Sequence, residues 1–148
     1  MNKSVLVVCT GNLCRSPYAE YRLRELCPDL AITSAGLQVT EHHLEGKKAD
    51  KVAIQVAKEM GIDLSQHKAM QLNEALVDAY DVILVMEREQ QELFCELFPY
   101  ANYKVYLFGL WNGGVNIDDP FNKGQLAFRL AFNMIDDAVK LWSNKLMQ

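Results

Sequence analysis

The residues best suited to chemistry lie in one short segment, VLVVCTGNLCRSP, which runs from Val5 to Pro17. Cys9 follows a run of aliphatic residues, and Arg15 follows Cys9 six positions later. A cysteine thiolate is a strong nucleophile, and the planar guanidinium of arginine matches two oxygens of a phosphoryl group. The spacing therefore indicates a phosphate-binding loop that carries its own nucleophile.

The residues between Cys9 and Arg15 favour a curled backbone. Gly11 and Asn12 tolerate positive φ, which turns successive N–H groups inward, and the N-terminus of the following helix directs its positive dipole end at the same place. The residues predicted to line the phosphate are Thr10, Gly11, Asn12, Leu13, Cys14 and Ser16. The Ser16 hydroxyl has two possible roles, as a donor to the thiolate or as the N-cap of the helix.

A loop of this kind needs a buried strand before it and a helix after it. Residues 4–9, SVLVVC, form a continuous apolar run of strand length, and Ser16 and Pro17 begin a helical pattern that ends before Pro28. Further strands are predicted at 30–36, 80–86 and 103–109, and further helices at 49–60, 87–98 and 125–146.

Strands and helices alternate along the chain. This order predicts an α/β fold in one domain, residues 1–148, with an open four-stranded parallel sheet and helices on both faces. Ligands of such sheets bind beyond the carboxyl ends of the strands, which is where the first strand delivers Cys9.

Composition narrows the function classes. The net charge of −4 gives no overall attraction to nucleic acid or to an anionic membrane. No apolar run approaches the roughly 18 residues of a membrane helix, and the first residues lack the pattern of a secretory leader, so we expect a cytoplasmic protein without membrane insertion. The four cysteines are expected to be reduced, and their spacing does not suggest a zinc site.

Four segments together resemble the low-molecular-weight protein tyrosine phosphatases. VCTGNLCRSP is similar to their phosphate loop, TSAG at 33–36 to the end of their second strand, GIDLSQHKA at 61–69 to a histidine turn, and IDDPF at 117–121 to their acid loop. The segments occur in the family's order and span essentially the whole chain.

The resemblance implies hydrolysis of phosphotyrosine through a phosphocysteine, without a cofactor or metal. Cys9 would be the nucleophile, Arg15 the phosphate clamp, and Asp119, directly before proline, the general acid and then the base. The neighbouring Asp118 is the rival for that role.

Two further residues take roles from the same resemblance. Phe121 would pack against the substrate ring, unless it serves only the core. His67 would support the loop through Asn12. His42 and His43 flank the pocket in relatives but are expected to be solvated loop residues.

Within the family, the segments YLFGLW and DPFNKG most resemble the bacterial class that is associated with exopolysaccharide tyrosine autokinases. This class implies a phosphotyrosine protein, and specifically an autokinase, as partner; the oligomeric state is not predicted.

The other three cysteines receive separate interpretations. Cys14 is a candidate to form a disulfide with Cys9 on oxidation, which would protect the nucleophile. Cys27 and Cys95 lie in helical patterns and are expected to pack in the core.

Two other functions fit part of the pattern. A thioredoxin-coupled arsenate reductase shares the C-x5-R loop but needs two further cysteines close together, whereas Cys27 and Cys95 are far apart in the sequence. A phosphoryl carrier or phosphotyrosine-binding module would hold phosphate near Cys9 without turnover. Such carriers require neither Arg15 nor the Asp-Pro loop, so the presence of both argues for hydrolysis.

Overall fold

The centre of the fold is a four-stranded parallel sheet. The structure is a computed structural model that describes residues 3–148; Met1 and Asn2, which belong to the predicted domain 1–148, lie outside the described residues. The strand order is β2-β1-β3-β4. The strands are β1 Val5–Cys9, β2 Ile32–Gly36, β3 Val82–Val85 and β4 Val105–Leu107. The predicted parallel sheet is confirmed.

Five α-helices connect and cover the strands in the described part of the chain. They are α1 Arg15–Leu26, α2 Lys51–Glu59, α3 Glu74–Ala79, α4 Arg88–Leu97 and α5 Gln125–Leu146. A 3₁₀ helix, Pro99–Lys104, precedes β4, and a second, Leu110–Asn112, follows it. In residues 3–148, none of the helices combines the length and apolar character that a membrane span requires.

The sheet is buried on both faces because β1 is apolar at every position. Val5 and Val7 pack into the core that holds α1, α2 and α5, whereas Leu6 and Val8 pack into the core that holds α3 and α4. Alternate side chains of a strand point to opposite faces, so one continuous apolar run serves both layers. The prediction of helices on both faces is confirmed.

Several element boundaries differ from the sequence prediction by one or two residues, and three differences are larger or affect a residue of the loop. Helix α1 begins at Arg15 with Cys14 in the N-cap position, so the prediction that Ser16 is the N-cap was wrong. Helix α3 was not predicted, because it has only six residues and too few apolar positions for a clear period. The predicted strand 103–109 is shorter, since the chain from Pro99 to Lys104 forms the 3₁₀ helix.

The longest helix, α5, is held to α1 by an aromatic stack. The rings of Tyr18 and Phe132 lie parallel with centroids 4.0 Å apart, and both side chains are fully buried. The Tyr18 hydroxyl donates to Asp136 Oδ1 at 2.9 Å, so its polar end is also satisfied. This contact fixes the helix that follows the predicted acid loop against the helix that follows the phosphate loop.

Removing the buried ring of Phe132 should therefore destabilise the fold. We expect Phe132→Ala to lower the free energy of unfolding by about 3–5 kcal/mol, because it loses apolar burial and leaves a cavity. Leu130→Ala, on the same helix but 56% exposed, should lower it by about 0.5 kcal/mol or less. Urea unfolding of both variants measures the difference; equal losses would contradict this account of the core.

Candidate active site

A pocket of about 350 Å³ opens at the carboxyl end of β1. It combines most of the predicted loop with the predicted acid loop, which is more than a hundred residues away in the sequence. The residues lining it are Cys9, Thr10, Gly11, Leu13, Cys14, Arg15, His42, Leu44, Asp119 and Phe121. The structure thus brings both chemistry-bearing segments to one cavity.

The end of β1 places Cys9 at the base of this pocket. Cys9 pairs with Gly36 in the sheet register, and its carbonyl accepts a hydrogen bond from the Leu37 amide at 2.9 Å. Gly36 has to be small, since a Cβ there would lie 2.8 Å from the Thr10 carbonyl oxygen. The neighbouring strand therefore presses directly against the start of the loop.

The Ser16 hydroxyl contacts the sulfur of Cys9. The two atoms, Ser16 Oγ and Cys9 Sγ, are 2.9 Å apart, and both residues are buried. Ser16 lies in the first turn of α1, after the N-cap residue Cys14, and its Oγ contacts Cys9 Sγ and Asn12 Nδ2, so the contact with sulfur is the role that the structure supports.

Asn12 holds the loop in its curled shape. Its φ of 57° is left-handed, a conformation that asparagine tolerates better than most residues. Its Nδ2 donates to Ser16 Oγ at 2.8 Å and to Ser34 Oγ at 3.0 Å, and its Oδ1 accepts from the Met70 amide at 3.0 Å. The side chain is fully buried and satisfied, so it ties the loop to β2 and to the turn before α3.

The same network continues behind the loop. Ser34 Oγ donates to the buried carboxylate of Glu20, which also pairs with Arg24. Burial raises the pKa of Glu20, although the Ser34 hydrogen bond and Arg24 oppose the rise. On the other side, His67 Nε2 lies 2.6 Å from the Asn12 carbonyl oxygen. A carbonyl oxygen only accepts, so His67 donates from Nε2.

Arg15 is the buried cation of the site, with a side chain that is 3% exposed. Its Nη1 donates to Glu87 Oε1 at 2.6 Å and to the Ile117 carbonyl at 2.7 Å, while Nη2 lies 3.9 Å from Asp119 Oδ2. Burial by itself would lower the pKa of Arg15, but the charges of Cys9, Glu87 and Asp119 together raise it above its ordinary value.

The Nε donor of this guanidinium has no partner in the part of the protein that the structure describes. Arg15 Nε is buried and has no hydrogen-bond partner among residues 3–148. A buried donor without a partner costs free energy, and a charged donor costs more. An anion in the pocket would supply the missing acceptor. The guanidinium is therefore fixed at one end by protein and unsatisfied at the other.

Sequence reasoning missed Glu87, which the helical pattern suggested only as an acidic helix start. Glu87 follows β3, whose carboxyl end lies beside that of β1, and this adjacency brings it to Arg15. The available signal was its position directly after a buried strand, since parallel strands end at one edge of the sheet. Without the strand order, the sequence does not pair Glu87 with Arg15.

The acid loop is anchored at Ile117 and is folded by a hydrogen bond within the loop itself. The Ile117 amide donates to the Met86 carbonyl at 2.9 Å, and the Phe121 amide donates to Asp119 Oδ1 at 3.0 Å. Both aspartates are exposed, but Asp119 lines the pocket and Asp118 does not. Phe121 is 46% exposed and also lines the pocket. The geometry thus favours Asp119 over Asp118 as a group facing a ligand.

The remaining candidates fall at the rim or away from it. His42 is an exposed residue at the pocket wall, whereas His43 does not line the pocket. Burial, together with the charges of Cys9 and Asp50, raises the pKa of Cys14, so Cys14 is a neutral thiol at neutral pH.

Cys27 and Cys95 lie on opposite faces of the sheet. Cys27 is buried in the core that holds α1 and α5, while Cys95, on α4, packs against the other core. These two thiols are not adjacent to each other, and neither lines the pocket.

Comparison with known proteins agrees with this geometry. Residues 4–148 match the family model described as low molecular weight phosphotyrosine protein phosphatase. The chain belongs to this family. A relative from Escherichia coli K12, low molecular weight protein-tyrosine-phosphatase Wzb, is 40% identical over 146 residues, with coverage of 99% of this chain and 97% of the relative.

Solved structures of similar proteins have the same fold. Wzb of Vibrio vulnificus, determined in complex with benzylphosphonate, matches with a TM-score of 0.94 and 41% identity, covering 98% of this chain and 99% of that one. The YwlE arginine phosphatase of Geobacillus stearothermophilus matches with a TM-score of 0.86 and 30% identity, covering 98% and 93%. The predicted family and fold class are both confirmed.

The buried histidine of the network should make stability depend on pH. Burial lowers the pKa of His67 from its ordinary 6.5, so the unfolded chain takes up this proton first as the pH falls. The stabilisation is complete above about pH 6.5 and is lost as the pH falls towards the folded-state pKa. We expect wild type to lose more stability between pH 7.5 and 5.5 than His67→Asn does.

Urea unfolding at these two pH values measures the effect. The control is His42→Asn, which replaces an exposed imidazole and should keep the wild-type dependence on pH. If His67→Asn shows the same loss as wild type, then the described position of His67 does not govern this titration.

Proposed function

We propose that residues 1–148 act as one phosphatase domain that hydrolyses phosphotyrosine through a phosphocysteine intermediate. The observation that carries the proposal is that Arg15, whose buried Nε has no partner in the described chain, lines the same pocket as Cys9. A nucleophile next to an unsatisfied, buried cation is the arrangement that transfer of a phosphoryl group requires. Membership of the phosphatase family supports the same reaction.

In the first step, Cys9 Sγ attacks phosphorus and the bond from phosphorus to the tyrosine oxygen breaks. Asp119 in its acid form gives a proton to that oxygen, so that a neutral phenol leaves. The loop amides and Arg15 bind the equatorial oxygens, where negative charge is concentrated. Ser16 Oγ stabilises the sulfur anion from behind.

In the second step, water attacks the phosphocysteine on the face that the phenol has left. The Asp119 carboxylate, now without its proton, accepts one from the water. The bond from sulfur to phosphorus breaks, inorganic phosphate leaves, and the thiolate of Cys9 returns to its contact with Ser16. One carboxyl group thereby serves as acid and then as base.

The walls of the pocket favour an aryl ester. Leu13, Leu44 and Phe121 provide apolar surface above the phosphate loop, which suits the ring of phosphotyrosine. Benzylphosphonate, bound by the Vibrio vulnificus relative, has an aromatic ring joined to a phosphonate through one methylene group. The arginine phosphatase relative makes phosphoarginine the second candidate substrate, and its charged guanidinium would have to lie against these apolar walls.

Both rivals from the sequence are disfavoured. An arsenate reductase of the thioredoxin-coupled type needs neighbouring cysteines, and Cys27 and Cys95 lie on opposite faces of the sheet. A binding module performs no proton transfer, so it does not require a carboxyl group such as Asp119 at the pocket mouth.

The two neighbouring aspartates provide a matched test of the acid. We expect Asp119→Ala to lower kcat for phenyl phosphate about 10²- to 10⁴-fold, because the leaving phenolate is no longer protonated. The loss should be smaller for p-nitrophenyl phosphate, whose leaving group is a weaker base. Asp118→Ala should change kcat by only a few-fold. Steady-state kinetics with both esters measures these ratios.

Three outcomes would contradict the assignment. Equal losses in the two variants would remove Asp119 from its role, and a loss confined to KM would favour a binding module. Turnover that survives in Cys9→Ser would remove the covalent intermediate.

For the cell, we propose a cytoplasmic phosphatase that acts on a tyrosine autokinase or its substrates in exopolysaccharide regulation. The support is the similarity to Wzb of Escherichia coli and to the phosphatase EpsP of Ralstonia solanacearum, which is 39% identical over 142 residues.

A substrate trap tests the partner directly. Asp119→Ala should retain phosphorylated autokinase from the same organism on a column, because binding persists while turnover is slow. The double variant Cys9→Ser, Arg15→Ala is the control and should retain none. Retention of phosphoarginine proteins instead, with hydrolysis of phosphoarginine by wild type, would overturn the tyrosine assignment.

A further inference from the structure

The side chain of Thr10 contacts a residue outside the phosphate-binding loop, in helix α4. Leu6 and Val8 of β1 point towards the core that holds α4, and Thr10 continues this alternation one step beyond the strand. There it meets Gln90, in the first turn of α4. The distance from Gln90 Nε2 to Thr10 Oγ1 is 3.1 Å.

The orientation of the Gln90 amide is fixed by the turn before α4. Its Oε1 accepts from the Met86 amide at 2.9 Å and from the Glu87 amide at 3.0 Å. Backbone amides only donate, so the atom between them has to be the oxygen, and the NH₂ group has to face Thr10. Gln90 is 5% exposed, which leaves its amide little freedom to rotate.

Because the NH₂ group of Gln90 faces Thr10, Gln90 does not accept the Thr10 proton. The hydroxyl accepts from Gln90, so its single proton is available to another acceptor. Among residues 3–148, no hydrogen bond uses that proton, and Thr10 is a half-buried residue of the pocket wall. Thr10 also lines the pocket that holds Cys9 and Arg15, so an acceptor bound in that pocket is a candidate partner for this proton.

We propose that Thr10 Oγ1 donates a hydrogen bond to an oxygen of the phosphoryl group, and that Gln90 is the positioning residue that enforces this direction. The proposal rests on the proposed phosphatase function and adds a side-chain donor to the loop amides and Arg15. It also gives α4 a second link to the site, since the same turn carries Glu87, the partner of Arg15.

An isosteric substitution tests the donor. Thr10→Val keeps the shape and removes the hydroxyl, and we expect inorganic phosphate to inhibit p-nitrophenyl phosphate hydrolysis about tenfold more weakly, as for the loss of a hydrogen bond to a charged group. Thr10→Ser restores the donor and should recover most of that affinity. Thr33→Val is the control, because Thr33 lies on β2 and outside the pocket. Phosphate should inhibit this variant as strongly as it inhibits wild type.

The role of Gln90 requires a second substitution. In Gln90→Glu, one carboxylate oxygen still accepts from the two amides, but the other now accepts the Thr10 proton and withdraws it from the pocket. The added charge also repels phosphate, so the comparison is a double-mutant cycle. We expect Gln90→Glu to weaken phosphate inhibition several-fold more in the wild-type protein, which has Thr10, than in the Thr10→Val variant.

The outcomes separate this inference from the function on which it rests. If wild type hydrolyses the ester and Thr10→Val binds phosphate as well as wild type does, only the Thr10 donor is overturned. Equal effects of Gln90→Glu in both backgrounds would overturn the positioning role. A wild type that neither hydrolyses the ester nor binds phosphate would instead overturn the proposed function. Thermal unfolding confirms that each variant is folded.

Discussion

The burial of the Arg15 charge is the constraint that organises this molecule. A guanidinium with a side chain 3% exposed has to find acceptors inside the protein, and it finds them at Glu87 and at the Ile117 carbonyl. These partners come from the ends of two different segments and occupy only one side of the group. The protein thus satisfies one side of the guanidinium and leaves its other donors available to a ligand.

The parallel sheet makes such convergence possible. Strands β1, β2 and β3 end at one edge, and each is followed by residues that reach the phosphate loop: the loop itself after β1, the turn at Leu37 after β2, and Glu87 with Gln90 after β3. Catalytic precision here depends on sheet register, because a shift of one residue in β3 would move Glu87 to the other face.

Much of this was predictable from the sequence, for local reasons. Some signals lie within single segments: the apolar run of β1, the glycine and asparagine of the loop, and the helical pattern of apolar residues along α5. The resemblance of IDDPF at 117–121 to the family's acid loop located the second half of the pocket. The network behind the loop was not predictable in the same way. Ser34, Glu20 and Glu87 are ordinary polar residues in their own segments, and only the tertiary fold brings them to the site. The start of α1 was misplaced because Ser-Pro is a common helix beginning, whereas here Ser16 faces the sulfur of Cys9.

The tether between Arg15 and the acid loop runs through a main-chain oxygen, that of Ile117. Every amino acid carries the same carbonyl, so this link is indifferent to the identity of residue 117. The side chain there is 1% exposed and lies in the core, so its volume and its apolar character are under constraint. During divergence, this position is free to exchange aliphatic residues while the loop that bears Asp119 keeps its anchorage.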